Sequence, residues 1–137
     1  MIQYSFRDPS KSYQFSHLHP KVLNDFMWLC HTLNLKGFKV DITSMVRPAG
    51  QIPGESGVHA TGRAIDCIPV ETKESGPVTT REMTELADIF CRLFPRDDGK
   101  TPLMWHQVAG GGGYHFHIQC QATSSYRDLA GSVPQDK

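Results

Sequence analysis

Two histidine-bearing segments far apart in the chain constrain its fold more than any other feature. The first runs from His59 to a carboxylate at Asp66, and the second is the short stretch from His115 to His117. Two imidazoles and one carboxylate, with a further histidine beside them, are the donor set of a catalytic zinc site, in which three protein ligands leave one coordination position open. The chain is therefore predicted to fold so that both segments meet at one zinc ion.

Two segments have the periodicity of amphipathic helices. Pro20 suits the first turn of a helix, apolar side chains recur at helical spacing up to Leu33, and Gly37 marks the end. In the second segment Thr79 and Glu82 form a capping box, and a proline follows the last apolar turn. The sequence thus predicts two helices.

Strand-like patterns account for most of the remaining chain. Because side chains alternate along a strand, His115 and His117 are expected on one face of the last strand. A run of glycines is predicted to form the turn before it. Residues 1–19 are expected to form an N-terminal loop segment and residues 121–137 a loose tail, around a core of about residues 20–120. The four predicted strands are residues 38–43, 64–70, 103–108 and 114–119.

The composition fits one domain and argues against several classes of partner. The chain has 137 residues, of which 39% are hydrophobic and 20% charged, as expected for a single core. Its 14 basic and 14 acidic residues cancel, which disfavours nucleic acid and anionic membranes as partners. No apolar run reaches membrane-spanning length and the N-terminus lacks a secretory profile, so cytoplasmic synthesis of a soluble monomer is expected. A disulfide between Cys67 and Cys120 is conceivable, but reduced thiols are favoured.

The motifs resemble those of the M15 group of zinc peptidases, the D-alanyl-D-alanine carboxypeptidases and phage endolysins that cut peptidoglycan stem peptides. The matching elements are His-x-x-Gly-x-Ala-x-Asp from His59 to Asp66, the later His-x-His, and Thr-Ser-x-x-Arg-Pro at residues 43–48. The resemblance covers roughly residues 20 to 120. It implies a small single α+β domain of the hedgehog/D-Ala-D-Ala peptidase type, with an antiparallel sheet and flanking helices cradling one zinc ion.

The resemblance also assigns roles to individual residues. It implies that Arg47 binds the carboxylate of the substrate or polarises its scissile region, and a guanidinium suits this role because it forks onto a carboxylate. Ser44, in the same motif, is a candidate substrate contact. His115 takes the position of a general base or transition-state stabiliser. The implied zinc ligands are His59, Asp66 and His117.

The identity of the base stays open at this point. His115 is expected two residues from a ligand on the same strand face, and His106 on the partner strand is the second candidate, either as a base or as support for the site. Glu55 is a third candidate, whereas the predicted final hairpin contains no Asp or Glu that would serve. Trp105, beside His106, is a candidate for lining the substrate cleft, with core packing as the competing interpretation.

We therefore expect a zinc peptidase that hydrolyses peptidoglycan stem-peptide bonds, as a D,D-carboxypeptidase or an endopeptidase in wall remodelling or phage lysis. Such a protein, made in the cytoplasm, would reach the cell wall through phage release machinery. The competing hypothesis is a non-catalytic zinc-binding module that binds a wall peptide or a protein partner. Gly57, at a position where the family usually has serine, keeps that hypothesis open, as does the missing carboxylate base.

Overall fold

A mixed β-sheet forms the centre of the computed structural model, which describes residues 2–46, 59, 62–108 and 112–121. Within these residues the sheet has five strands in the order β1-β2-β3-β5-β4. All neighbouring pairs are antiparallel except β1 and β2, which run parallel. The strands are β1 (Ser5–Phe6), β2 (Lys39–Ser44), β3 (Ala64–Val70), β4 (Leu103–Gln107) and β5 (Tyr114–Gln119).

Both predicted helices are present, and each begins at a capped residue. Helix α1 (Pro20–Leu35) follows His19, whose Nδ1 accepts a hydrogen bond from the backbone N–H of Lys21 at 3.0 Å. Helix α2 (Thr80–Leu93) follows Thr79, whose Oγ1 accepts from the backbone N–H of Glu82 at 3.2 Å. These contacts satisfy N–H groups that have no partner inside a helix. The predictions for both helices and for β2 to β5 are confirmed within one or two residues.

The hydrophobic core lies between the two helices and one face of the sheet. Helix α1 packs across β2, β3 and β5, and α2 packs against β4. The rings of Trp28 in α1 and Phe90 in α2 are 5.3 Å apart, so the helices also contact each other. The chain is thus a small single-domain α+β protein, as expected. Fully buried side chains of this core include Phe26, Leu29, Leu33, Ile65, Phe90, Phe116 and Ile118.

The prediction of a loop over residues 1–19 is wrong. This segment forms β1, at the edge of the sheet beside β2, and a 3-10 helix over Pro9–His17. The expectation of a wholly antiparallel sheet is corrected by the same strand. The aromatic rings of Tyr4 and Phe15 stack 5.3 Å apart, and both lie against Phe26 of α1. Tertiary contacts of this kind order a short segment that has no periodicity of its own.

The structure also bears on the expected reduced thiols and on the expectation that no segment spans a membrane. All four cysteines are free thiols, Cys67 and Cys120 included. Burial raises the pKa of the Cys120 thiol to about 11. In the part of the chain that the structure describes, no helix combines the length and apolar character needed to cross a membrane. Residues 109–111 of the glycine-rich turn and the predicted tail from residue 122 onward lie outside the described residues.

Candidate metal centre

Two adjacent strands bring the two histidine-bearing segments together. Asp66 on β3 is paired in register with His117 on β5, so their side chains leave the sheet on the same face. Their neighbours Ile65 and Ile118 point to the helix-covered core. The carboxylate and the imidazole therefore lie on the face opposite the core, as the alternation along β5 predicted. Both are almost fully buried there, with exposed fractions of 3% and 9%.

His59 completes a cluster of three possible metal ligands. Its Nε2 lies 3.3 Å from Asp66 Oδ2, and His117 Nδ1 lies 2.8 Å from Asp66 Oδ1. One ligand atom from each of the three residues lies within 4.8 Å of the other two. His59 comes from outside the strands, and its side chain is buried with 1% exposed. The predicted convergence of His59, Asp66 and His117 is present in the structure.

A backbone carbonyl fixes the orientation of the His59 ring. The Nδ1 atom of His59 lies 2.7 Å from the carbonyl oxygen of Met45, just beyond the end of β2. A carbonyl oxygen only accepts, so Nδ1 must carry the proton and donate it. In the neutral imidazole the lone pair then belongs to Nε2, the atom that faces Asp66. An outward hydrogen bond of this kind is typical of histidines that bind a metal.

A glutamine fixes the His117 ring in the same way. Its Nε2 lies 3.1 Å from Oε1 of Gln119, two residues further along the same face of β5. The amide nitrogen of Gln119 donates to the carbonyl oxygen of Thr101 at 2.9 Å, which sets the amide so that Oε1 faces the imidazole. His117 therefore donates from Nε2, and the lone pair of its neutral form lies on Nδ1, facing Asp66.

The two outer hydrogen bonds leave four acceptor atoms in two facing pairs, because each inner imidazole nitrogen lies against one oxygen of Asp66. With Nε2 of His59 and Nδ1 of His117 both unprotonated, each nitrogen faces a carboxylate oxygen that also only accepts. Such an arrangement needs a proton or a cation between the groups. Nε2 of His59 is buried and has no hydrogen-bond partner among the described residues. The donor set, its burial and this orphaned nitrogen fit a metal ion, which His59, Asp66 and His117 can hold together.

The charge of Asp66 is set by its two imidazole neighbours. Burial would raise the pKa of this carboxyl. In the metal-free protein a proton shared with the inner nitrogen of His117 or His59 gives Asp66 a hydrogen bond and a nearby positive charge, which outweigh burial and hold the pKa well below its usual range. Asp66 is therefore ionised at neutral pH. An ionised carboxylate beside two imidazole nitrogens is the protonation state that metal binding requires.

Two further histidines lie beside the cluster. His115 is 8% exposed, and its Nδ1 lies 3.9 Å from Asp66 Oδ2. Its Nε2 lies 3.1 Å from Nε2 of His106, which is directly opposite on β4. Burial lowers the pKa of His115, against the opposing effect of the Asp66 charge. Partial burial likewise lowers the pKa of His106. Both candidates for the base are thus near the candidate metal ligands, with His115 the closer to Asp66.

Of the predicted substrate-binding residues, one lies beside the cluster and another packs in the core. Ser44 is paired in register with Asp66, next to an irregularity in the pairing of β2 and β3, so it lies beside the cluster. Trp105 is not brought to the cluster, because it pairs with Phe116 on the core-facing side of the sheet and its ring lies 4.8 Å from that phenylalanine. The core-packing interpretation fits Trp105. Arg47 and Glu55 lie outside the described residues.

Sequence reasoning missed two groups that orient the ligands. Gln119 was detectable, because it follows His117 by two positions and therefore shares its strand face. The carbonyl of Met45 was not, because every residue has a carbonyl and only the fold brings this one to His59. These two groups are what fixes the inward nitrogen of each imidazole.

Comparison of the chain with models of known protein families finds no match, and comparisons with curated protein sequences and with solved structures find none either. The likeness to the M15 peptidases therefore rests on the sequence motifs alone. The family assignment stays a prediction.

Proposed function

We propose that the protein is a zinc-dependent peptidase that hydrolyses amide bonds in peptidoglycan stem peptides. The observation that carries this proposal is the cluster of His59, Asp66 and His117, in which each imidazole is held from outside by a hydrogen bond to Met45 or Gln119. Two imidazoles and one carboxylate match the ligand set of catalytic zinc sites with one open position. Ligand type favours zinc over magnesium or calcium, which prefer oxygen ligands alone.

In this site a zinc ion would supply a nucleophile near neutral pH and a Lewis acid for the scissile carbonyl. The chain itself must supply a group that accepts and returns a proton. We assign that role to His115, because its Nδ1 lies 3.9 Å from an oxygen of Asp66 and its ring is buried. Burial lowers its pKa, so the imidazole is neutral at neutral pH and able to accept a proton.

The substrate class follows from the motif resemblance, with Ser44 as support. Ser44 lies beside Asp66 in the sheet, and we propose that it contacts a peptide bound at the cluster. Arg47, three residues further along the chain, is proposed to bind the carboxylate of the stem peptide through two parallel hydrogen bonds.

The test is hydrolysis by the zinc-loaded full chain. Purified peptidoglycan and a peptide ending in D-Ala-D-Ala are the substrates, and released amino groups and free D-alanine are measured. We expect turnover that is lost with a chelator and restored by zinc. His115→Ala is expected to keep one tightly bound zinc and to lose turnover by roughly 100- to 10,000-fold, the range for a general base.

His31→Ala is the matched control, because it removes an exposed histidine from α1 on the other side of the sheet. It is expected to retain full activity. Zinc binding without hydrolysis of either substrate, in wild type and His115→Ala alike, would contradict the peptidase and favour the non-catalytic zinc-binding module.

A further inference from the structure

The imidazoles of His106 and His115 are in contact beside the candidate metal centre. The two residues are directly opposite each other on β4 and β5, so their side chains leave the same face of the sheet side by side. Their Nε2 atoms lie 3.1 Å apart, and the rings are tilted by 57° with centroids 4.8 Å apart. Two imidazole nitrogens are thus aimed at one point beside the candidate metal centre.

The distance between the two Nε2 atoms is close to the distance between two nitrogen ligands of a single transition-metal ion. Nitrogen ligands at about 2.0–2.1 Å from a tetrahedral ion lie about 3.3 Å from each other. The pair is therefore spaced for chelation without a change in the backbone. A single shared hydrogen bond also fits this distance, so the experiment must separate the two.

The surroundings of His106 favour an ion. Its side chain is exposed, so an ion has access from solvent. Unlike His59 and His117, it has no oxygen acceptor on its other ring nitrogen among the described residues. Neither tautomer of the His106 ring is therefore fixed by a neighbouring acceptor among these residues. Its Nδ1–H can donate a hydrogen bond to water while the lone pair of Nε2 binds the ion.

We propose that His106 and His115 form a second, weaker binding site for a divalent transition-metal ion such as zinc or copper, next to the site at His59, Asp66 and His117. Water would fill the remaining positions, since only two protein ligands converge there. A site with one ligand fewer and no negative charge is expected to bind on the order of 10-fold or more weakly than the first.

Occupation of this site would have a functional consequence, which rests on the peptidase function proposed above. The Nε2 lone pair of His115 would be held by the second ion, and the ring could no longer turn or exchange protons freely. Excess zinc would then inhibit turnover, whereas the first equivalent activates it. His106 would be the residue that makes the protein sensitive to the zinc concentration.

The test is metal stoichiometry, which needs no enzymatic activity. Metal-free full-length protein is titrated with zinc by calorimetry, and bound metal is counted after equilibrium dialysis. We expect two equivalents for wild type, one tight and one weaker, and a single tight equivalent for His106→Gln. The glutamine retains the ability to hydrogen bond with His115 but is a poor zinc ligand. His31→Gln, a change at an exposed position of α1, is the matched control and is expected to bind two equivalents.

Copper gives a second readout. The electron paramagnetic resonance spectrum of wild type with two equivalents of Cu²⁺ should contain a nitrogen-coordinated signal that is absent from His106→Gln. Peptidase activity, normalised for each variant to its value with one equivalent of zinc, should fall with excess zinc in wild type and stay level in His106→Gln. A single equivalent in wild type, or equal stoichiometry and affinity in both proteins, would overturn the second site. If no substrate is cleaved, the titration still decides this proposal, while the peptidase function fails separately.

Discussion

On the helix-covered face of the sheet, the buried side chains of β3 and β5 are apolar, with Ile65, Phe116 and Ile118 in contact with the core. On the opposite face of the same two strands, Asp66, His115 and His117 are also buried. The strands, their register and their hydrogen bonds are common to both faces. Only the chemistry of the buried layer differs.

The difference separates what stabilises the fold from what serves a site. Burial of apolar surface is favourable, about 25 cal/mol for each Å², whereas burial of a carboxylate and several imidazoles costs free energy unless they are paired. The polar layer also presents acceptor to acceptor between Asp66 and the two oriented imidazoles. Stability alone gives no reason for such a layer, and a bound cation does. Mutations on the helix-covered face should therefore lower the free energy of unfolding and leave zinc affinity unchanged. Mutations on the opposite face should lower zinc affinity and leave the stability of the metal-free protein nearly unchanged.

The largest effect on stability is expected from the apolar layer. Phe90 is fully buried, with its ring 5.3 Å from Trp28 and 5.0 Å from Phe94. Phe90→Ala should lower the free energy of unfolding by about 3–5 kcal/mol, through lost burial and the cavity left behind. Urea unfolding of the metal-free protein measures this loss. The zinc affinity of the folded protein should stay unchanged; a parallel loss of affinity would mean that the two faces are not independent. Phe90→Leu, with a smaller loss, serves if the alanine variant does not fold.

In the polar layer we expect a large loss of zinc affinity with little change in stability. Asp66→Asn removes the charge and keeps the shape, and we expect it to weaken zinc binding by more than about 100-fold, beyond the range for groups that only orient a ligand. Competition with a chromophoric chelator measures the affinity. The metal-free variant should be close to wild type in stability, because the asparagine amide can donate a hydrogen bond to an inner imidazole nitrogen where the carboxylate only accepts. Substantial destabilisation without metal would instead make Asp66 a structural residue.

An intermediate effect should follow from the outer hydrogen bond to His117. Gln119→Ala removes the acceptor for Nε2 of His117 and is expected to weaken zinc binding by roughly 10- to 100-fold. Gln107→Ala is the matched control, since this exposed glutamine on β4 bonds to the carbonyl of Gly112 instead. The same chelator competition applies to both. Equal affinities for the two variants would show that Gln119 does not orient the ligand.

The smallest effect concerns pH. Burial lowers the folded-state pKa of His115, and a histidine with a lowered pKa stabilises the fold above its unfolded pKa of about 6.5. That contribution is lost as the pH falls from about 6.5 through the folded-state pKa. The metal-free protein should therefore lose stability on acidification in this window, and His115→Gln should lose less. Urea titrations at pH 7.5, 6.5 and 5.5 test this, with Gln107→Ala expected to follow wild type.

Most of the fold was predictable because its elements carry local signals. Helix α1 and helix α2 begin at Pro20 and at the Thr79 cap, and β3 spans the same residues that its β-branched pattern predicted. Strand β1 was missed because two residues carry no periodicity. Its pairing with Asp41 and Ile42 and the aromatic contacts of its neighbour Tyr4 hold it in place.

In the candidate site, too, the features with a local sequence signal were predictable and those set by long-range contacts were not. The convergence of His59, Asp66 and His117 was predictable from residue types and spacing, and alternation placed His115 and His117 on one face. Alternation also puts Trp105 and His106 on opposite faces, which is why Trp105 belongs to the core despite its position beside a site histidine. The carbonyl of Met45 depends on where β2 ends relative to His59, a long-range contact without any signal in the residue type.

The position of β1 has a consequence for how the chain behaves among its own copies. The strand lies along the outer edge of β2, and the backbone N–H of Arg7 extends the pairing to the carbonyl of Ile42 at 2.8 Å. An open sheet edge is a template for pairing with another molecule. A shortened chain that starts at residue 20 would leave this side of β2 bare. Strand β1 thus occupies part of an edge of β2 that would otherwise be open to pairing with another copy of the chain.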